Sequence, residues 1–228
     1  MASTTRSDVR VVIVDDHVLV AEALALALGS QGYDVHRVEV PSAPESPGGL
    51  VATITGLRPH VVLLNLDLGP YGDGEPLVAP LATYGAGVVV LTGMTDRARW
   101  GEVLADGAAT VLSKSQPLDD ILATVRRVHL GLPVIDSAER EALVDVWLHQ
   151  QNIHGEARER MGLLSVRERE VLGHLMRGRA VREIAARSVV SEATVRTQVK
   201  SILNKLEVSS QLAAVGLAHE VGWRGPTS

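Results

Sequence analysis

The run His60-Val61-Val62-Leu63-Leu64-Asn65-Leu66-Asp67-Leu68 is entered through Arg58-Pro59 and left through Gly69-Pro70-Tyr71-Gly72. Its length, β-branched content and flanking turn residues are those of a strand buried on both faces in a parallel sheet. Polarity returns only at Asn65 and Asp67, towards the carboxyl end, and open α/β sheets hold their ligands outside the carboxyl ends of the strands. Asn65 is therefore the residue whose chemistry needs explaining.

Working outward, Arg10 to Asp15 repeats the buried-strand pattern and ends in two carboxylates, Asp15 and Asp16, before a helical pattern from Val18 to Gly29. Tyr33 to Val38 alternates as a more exposed second strand. Pro41 to Gly49, with three prolines and two glycines, reads as a loop before a short helix over about Leu50 to Leu57. After the central strand, a helix is expected around Glu75 to Tyr84, interrupted near Pro80. Gly87 to Thr92 is a fourth strand, Asp96 to Asp106 a helix, and Ala109 to Leu112 a short fifth strand ending at Ser113-Lys114. The helix from Leu118 to Leu130 closes the unit at Gly131-Leu132-Pro133.

Five strands alternating with five helices predict an α/β fold, a five-stranded doubly wound parallel sheet. Right-handed crossovers would bring the strand ends to one rim. Asp15, Asp16, Asn65, Thr92 and Lys114 all fall at such ends. One or two polar residues there are expected of any strand; five from four strands form a constellation.

The chain has 228 residues, 46% of them hydrophobic and 21% charged, which is enough for two domains and too apolar for wholesale disorder. Cysteine is absent, so disulfides, cysteine-based zinc sites and thiol catalysis are excluded. The first ten residues contain no cleavable apolar core, and no apolar run approaches the roughly 20 residues of a membrane span. A cytoplasmic protein with no membrane partner is expected. Phe is absent, with Trp 3 and Tyr 3, so the core is aliphatic and base stacking on aromatic platforms is disfavoured. Residues 1–154 hold 10 Lys+Arg and 19 Asp+Glu, a net of −9, whereas residues 155–228 are net +4. Such a division hints at a nucleic-acid-binding C-terminal module.

Between the halves, residues 137–160 read as a helix with Ala142, Leu143, Val146 and Trp147 at spacings of three and four, broken at Gly155. It is either a solvated linker helix or a dimerisation helix, since an apolar stripe must bury against something. The last segment has helical patterns at Val166–Met176, Val181–Arg187, Glu192–Leu206 and about Gln211–Glu220, with Ser191 as N-cap of the third. Four short helices with tight turns predict an all-α four-helix helix-turn-helix domain. Arg196, Thr197 and Lys200 share a broad face of the third of these helices, suited to a major groove, with Ser191 and Thr194 at its start. Lys205, about a turn further on, suits a phosphate contact. Val195, Val199, Leu203 and Leu206 are expected in the core. The alternative is a solvated basic face.

Val-Asp-Asp-His (14–17), Val-Leu-Leu-Asn-Leu-Asp-Leu-Gly (62–69), Leu-Thr-Gly (91–93) and Leu-Ser-Lys (112–114) resemble a response-regulator receiver domain, which is flavodoxin-like. Leu-Ser-Val-Arg-Glu-Arg-Glu-Val-Leu (164–172), Glu-Ile-Ala (183–185) and Ser-Glu-Ala-Thr-Val-Arg-Thr-Gln-Val (191–199) resemble the LuxR-type helix-turn-helix. The chain is thus similar to the NarL/FixJ-family transcription factors, with a receiver over 8–131, a linker helix over 132–161 and a DNA-binding domain over 162–224. The resemblance implies double-stranded DNA and a second copy of the chain as partners, and no enzymatic activity. It also implies that the acidic pair holds Mg²⁺ and that a strand-4 Thr and strand-5 Lys bind the phosphoryl group. Those roles carry onto Asp15, Asp16, Thr92 and Lys114.

The acceptor position aligns with Asn65, where the family has an aspartate phosphorylated by a histidine kinase. An amide has no carboxylate oxygen with which to form an acyl phosphate. With one carboxylate fewer, the Mg²⁺ site at Asp15 and Asp16 is expected to be weak or lost, so no cofactor is required. Lys114 is expected to pair with Asp15 or Asp16 instead. Val111 stands where the family has an aromatic switch residue, Gln198 where it often has His, and Ala180 where it often has Ser or Thr. Dimerisation, a small ligand in the receiver or protein amount would then set activity, and a kinase partner is left open. Three alternatives stand: a conventional regulator using Asp67 after a two-residue slip, a protein-docking module, and a phosphatase of the haloacid dehalogenase type, for which Asp15-Asp16-His17 lacks the required Asp-x-Asp.

Overall fold

The computed structural model describes residues 8–43 and 46–225. Residues 44 and 45 of the expected Pro41–Gly49 loop, and the first seven of the ten N-terminal residues, lie outside these. The chain divides into two compact units, residues 1–148 and 149–228.

In the first unit β1 (Arg10–Val14), β2 (Asp34–Val38), β3 (Val61–Asn65), β4 (Gly87–Thr92) and β5 (Thr110–Ser113) form one parallel sheet in the order β2-β1-β3-β4-β5. The connecting helices are α1 (Val18–Ser30), α2 (Pro47–Gly56), α3 (Val78–Tyr84), α4 (Arg97–Ala105) and α5 (Leu118–His129). The strand periodicity of two sorts the core. Val12, Val14, Val62, Leu64, Val88 and Val90 pack with Leu50 and Ile54 of α2, Leu81 of α3, and Val103 and Leu104 of α4. Val11, Ile13, Val61, Leu63, Val89 and Leu91 pack on the other face with Leu24 and Leu28 of α1 and Ile121 and Val125 of α5. Every residue of β3 is buried, which is why that run carries no alternation. The doubly wound parallel sheet expected from the sequence is present.

Two local expectations change. The helix expected from Leu50 begins at Pro47, because a proline at the first helical position gives up only a donor that has no partner there. Pro80 does not interrupt its helix: Glu75–Leu77 is a 3₁₀ turn and α3 starts at Val78, so Pro80 falls in the first turn.

The next helix, α6 (Ser137–Gly162), runs through Gly155, which was expected to break it. One glycine costs a helix about 1 kcal/mol relative to alanine, too little to end one anchored on both sides. In the first unit Leu143 joins the core, and Arg140 donates to the carbonyls of Leu104 (2.6 Å) and Ala108 (3.1 Å) at the end of α4. Gly101 makes this seating feasible: a Cβ on it would stand 2.1 Å from the Leu143 carbonyl oxygen. In the second unit Ala157 and Met161 are buried. Of the expected stripe, Leu143 is buried and Trp147 half-buried, while Ala142 and Val146 are exposed.

The second unit contains the later part of α6 together with α7 (Val166–Met176), α8 (Val181–Ser188), α9 (Glu192–Leu206) and α10 (Gln211–Glu220). Val171, Leu172, Ile184, Val195, Val199, Ile202, Leu206, Ala214 and Ala218 form its core. Leu203, expected in that core, is partly buried against it. The four expected helices of the helix-turn-helix domain are all present.

Candidate functional site

The carboxyl ends of β1, β3, β4 and β5 gather the five expected residues of the first unit. Asp15 follows β1 with its side chain 2% exposed, Asn65 ends β3, Thr92 ends β4, and Lys114 follows β5, its backbone N–H donating to the Thr92 carbonyl (2.9 Å). Lys114 Nζ reaches across to Asp15, 3.0 Å from Oδ1 and 2.8 Å from Oδ2. The expected pairing of Lys114 with the acidic pair is therefore seen, and Asp15 is the partner.

Asn65, almost fully buried, turns its amide nitrogen into the pocket. Nδ2 donates to Asp16 Oδ1 at 3.0 Å, to Asp15 Oδ1 at 3.3 Å and to the Asp67 carbonyl. All three partners are acceptors, so the nitrogen, not the oxygen, must face them. His17 completes the set: its N–H donates to Asp15 Oδ1 (2.9 Å) and its Nδ1 lies 2.8 Å from Asp16 Oδ1. Burial pushes the Asp16 carboxyl up. The His17 hydrogen bond and charge and the Asn65 hydrogen bond outweigh it, and the group lies below its ordinary value. Gly69 walls the pocket at φ +58°, and a Cβ there would stand 2.9 Å from Asp16 Oδ2, so a side chain would be strained and would displace that carboxylate.

Thr92 is buried, and its hydroxyl oxygen accepts from Met94 N–H at 3.0 Å, an intraloop bond. Val111 is buried in the aliphatic core and provides no ring to rotate. Asp67 is exposed and lies beyond the end of β3; its carboxylate accepts from Gly69 N–H at 3.1 Å. Leu64 pairs with Val90 and Asn65 with Leu91 in the β3–β4 ladder, so the two-residue slip that would seat Asp67 at the strand end is not the register adopted.

Mg²⁺ takes an octahedral shell of carboxylate oxygens and waters. Both Asp15 oxygens face Lys114, Oδ1 of each aspartate accepts from Asn65, and β3 offers an N–H where the metal would need an oxygen. Asp15, Asp16 and His17 bring ligand atoms within 4.8 Å of one another, with Asp15 already engaged by Lys114 and Asp16 by Asn65.

In the second unit Ser191 caps α9, its hydroxyl oxygen accepting from Thr194 N–H at 3.1 Å. Val195, Val199, Ile202 and Leu206 are buried, leaving Thr194, Arg196, Thr197 and Lys200 exposed on the remaining arc. Among the described residues Arg196 is paired only with exposed Glu192, one turn back (3.2 Å), a contact weak enough to exchange for a base or phosphate. Lys205, expected at a phosphate, also has partners within the domain and keeps a side chain 35% exposed. Its Nζ donates to Glu168 Oε2 (2.7 Å) and to the Leu163 carbonyl (3.1 Å). Glu168 is buried and also accepts from Ser201 Oγ (2.7 Å) and Ser165 N–H (2.7 Å). Burial pushes its carboxyl up, but Lys205, Ser201 and Ser165 bring it down to about 2. Sequence reading missed this cluster, although Ser165-x-x-Glu168 before an apolar run is a capping-box pattern.

Residues 11–126 match the response regulator receiver domain, and residues 162–218 match the bacterial regulatory proteins of the luxR family. This chain is a response regulator. It is 30% identical over 224 residues to the probable transcriptional regulatory protein NarL of Mycobacterium tuberculosis (strain H37Rv), covering 96% of this chain and 97% of that one. To the uncharacterized transcriptional regulatory protein YhcZ of Bacillus subtilis it is 29% identical over 223 residues, 96% and 99% of the two chains. The solved RcsB–DNA complex shares 23% identity over 93% of this chain and 98% of that one, with a TM-score of 0.48. The regulator joins a receiver to a LuxR-type helix-turn-helix and belongs to the DNA-binding transcriptional regulators, a family not of enzymes. Among the described residues no helix is long and apolar enough to cross a membrane.

Proposed function

We propose that this response regulator controls transcription without aspartyl phosphorylation, binding double-stranded DNA as a homodimer in the cytoplasm and catalysing no reaction. The observation that carries the reading is the Asn65 amide donating to both Asp15 and Asp16, while Lys114 covers Asp15. A phosphorylatable receiver needs a carboxylate nucleophile and a cation to neutralise three clustered carboxylates. Here an uncharged amide stands in place of the nucleophile and donates hydrogen bonds to the two remaining carboxylates, while the Lys114 ammonium offsets charge at Asp15. The pocket is built to stay in one state, and neither Mg²⁺ nor another cofactor is required. Input then comes from dimerisation, from the amount of protein or from a small ligand, with no phosphoryl transfer from a histidine kinase.

DNA binding is proposed to run through the exposed arc of α9, with Arg196, Thr197 and Lys200 at the groove and Ser191 and Thr194 at the helix start. Binding of the full chain to duplex DNA, measured before and after incubation with acetyl phosphate and Mg²⁺, tests the proposal. Unchanged affinity is expected; an increase that disappears in Asp67→Asn would restore a phosphorylated mechanism.

A further inference from the structure

In the second unit two arginines converge on one imidazole, and a third, Arg187, adds its charge from α8. Arg179 Nη1 lies 2.6 Å and Arg177 Nη2 3.2 Å from His174 Nδ1. A guanidinium can only donate, so Nδ1 is the unprotonated acceptor and the ring proton sits on Nε2. Burial, followed by the charges of Arg179, Arg177 and Arg187, holds His174 below its ordinary value, with Glu170 opposing. Arg179 is itself lowered, by desolvation and then by Arg187 and Arg177, against Glu183. The two nearby carboxylates are engaged elsewhere: Glu170 pairs with Arg167 (2.8 Å), and Glu183 accepts from Ala180 N–H (3.0 Å). Among the described residues Arg177, Arg179 and Arg187 have no ion pair with a carboxylate. Cations concentrated in this way repel one another until an anion arrives.

The cluster sits at the end of α7 and on the turn into α8, and α8 is the helix that precedes the α9 recognition helix. In a helix-turn-helix that preceding helix crosses the nucleic-acid backbone. Ala180, the N-cap of α8, has no side-chain oxygen for a phosphate or for capping, whereas its neighbour Arg179 carries a fixed charge. We propose that Arg177 and Arg179, oriented by a neutral His174, form a second contact to DNA backbone phosphates on the α7–α8 turn, separate from the α9 face. His174 is a positioning residue here. Its single lone pair gathers two guanidiniums that would otherwise separate, so less side-chain freedom is lost when phosphate binds. The proposal rests on the DNA-binding reading of α9. The competing reading is that the arginines only complement the carboxyl end of the α7 dipole.

The test is binding of the full chain to a mixed-sequence duplex across a salt series. Wild type is compared with Arg177→Ala/Arg179→Ala, Arg177→Gln/Arg179→Gln, His174→Leu, His174→Asn and, as marker of the α9 face, Arg196→Ala. Each lost phosphate contact flattens the log K against log salt line by about 0.9, so both double variants are expected to lose about 1 to 2 from the slope. His174→Leu is expected to lose part of it. His174→Asn, which can present an amide oxygen near the place of Nδ1, should recover the wild-type slope, a rescue that a purely structural role would not give. Wild-type slopes in a double variant that melts like wild type overturn the proposal. So does an inorganic-phosphate site at these arginines whose saturation leaves the duplex slope unchanged. If wild type and Arg196→Ala bind duplex equally poorly, the α9 reading falls instead, and the second contact with it.

Discussion

Asn65 Nδ2 lies 3.0 Å from Asp16 Oδ1, a hydrogen bond between the acceptor position of the receiver and one of its acidic pair. Two carboxylates in those places would repel one another unless a cation offset them; here an amide N–H meets a carboxylate and the two attract.

Asn65→Asp reverses that balance by one atom. The new carboxylate would face Asp15 and Asp16 with only Lys114 and His17 to offset three charges. In a chelator the variant is expected to unfold at a lower temperature, by about 1–3 kcal/mol of lost stability. Millimolar Mg²⁺ is expected to restore it, whereas wild type should melt at the same temperature with or without the ion. Thermal melts in the two buffers read both effects.

Glu168 gives the second unit a defined acid sensitivity. Its folded pKa, about 2, lies below the ordinary 4.5, so the deprotonated form is the one that folding favours. The stability it contributes is complete above about pH 4.5 and is lost as the pH falls towards 2. Thermal melts between pH 6 and about 2.5 should show a loss that is much smaller in Glu168→Gln. At neutral pH Lys205→Met removes one of several partners of the buried carboxylate and, with the lysine itself a third exposed, is expected to cost about 1–2 kcal/mol.

The strand ends and the resemblance made Asp15, Asp16, Asn65, Thr92 and Lys114 legible from the chain alone, since a buried strand must stop at the ligand rim and the polar residue there is conspicuous. The bond between Lys205 and Glu168 is not legible there, because helical spacing places Lys205 on a face but says nothing of Glu168, 37 residues earlier, towards which the fold directs it. Gly155 was misread because propensity is local, whereas α6 is held at Leu143 on one side and at Ala157 and Met161 on the other. The role of Gly101 depends wholly on a tertiary approach and leaves no pattern in the sequence.

Gly101→Ala is expected to unseat the first part of α6. Its methyl would meet the Leu143 carbonyl oxygen at 2.1 Å, a backbone atom that cannot rotate away. A loss of about 1–3 kcal/mol is expected, with faster amide hydrogen exchange over residues 138–147 than in wild type. Unchanged protection there would place the contact elsewhere.

Val189 caps α8 in the left-handed region, at φ 53° and ψ 46°, and the residue is 90% exposed. A β-branched residue is strained there and recovers no burial in return. Val189→Gly should therefore stabilise the second unit by about 0.5–1 kcal/mol in chemical denaturation, an unusual direction for a Val-to-Gly change.

The most direct measurement is intact mass of the full chain after incubation with acetyl phosphate and Mg²⁺, for wild type and Asp67→Asn side by side. The expected result is the unmodified mass for both proteins. A stable phosphoryl adduct on wild type that disappears in Asp67→Asn would contradict the proposal that Asn65 has closed this receiver to phosphorylation.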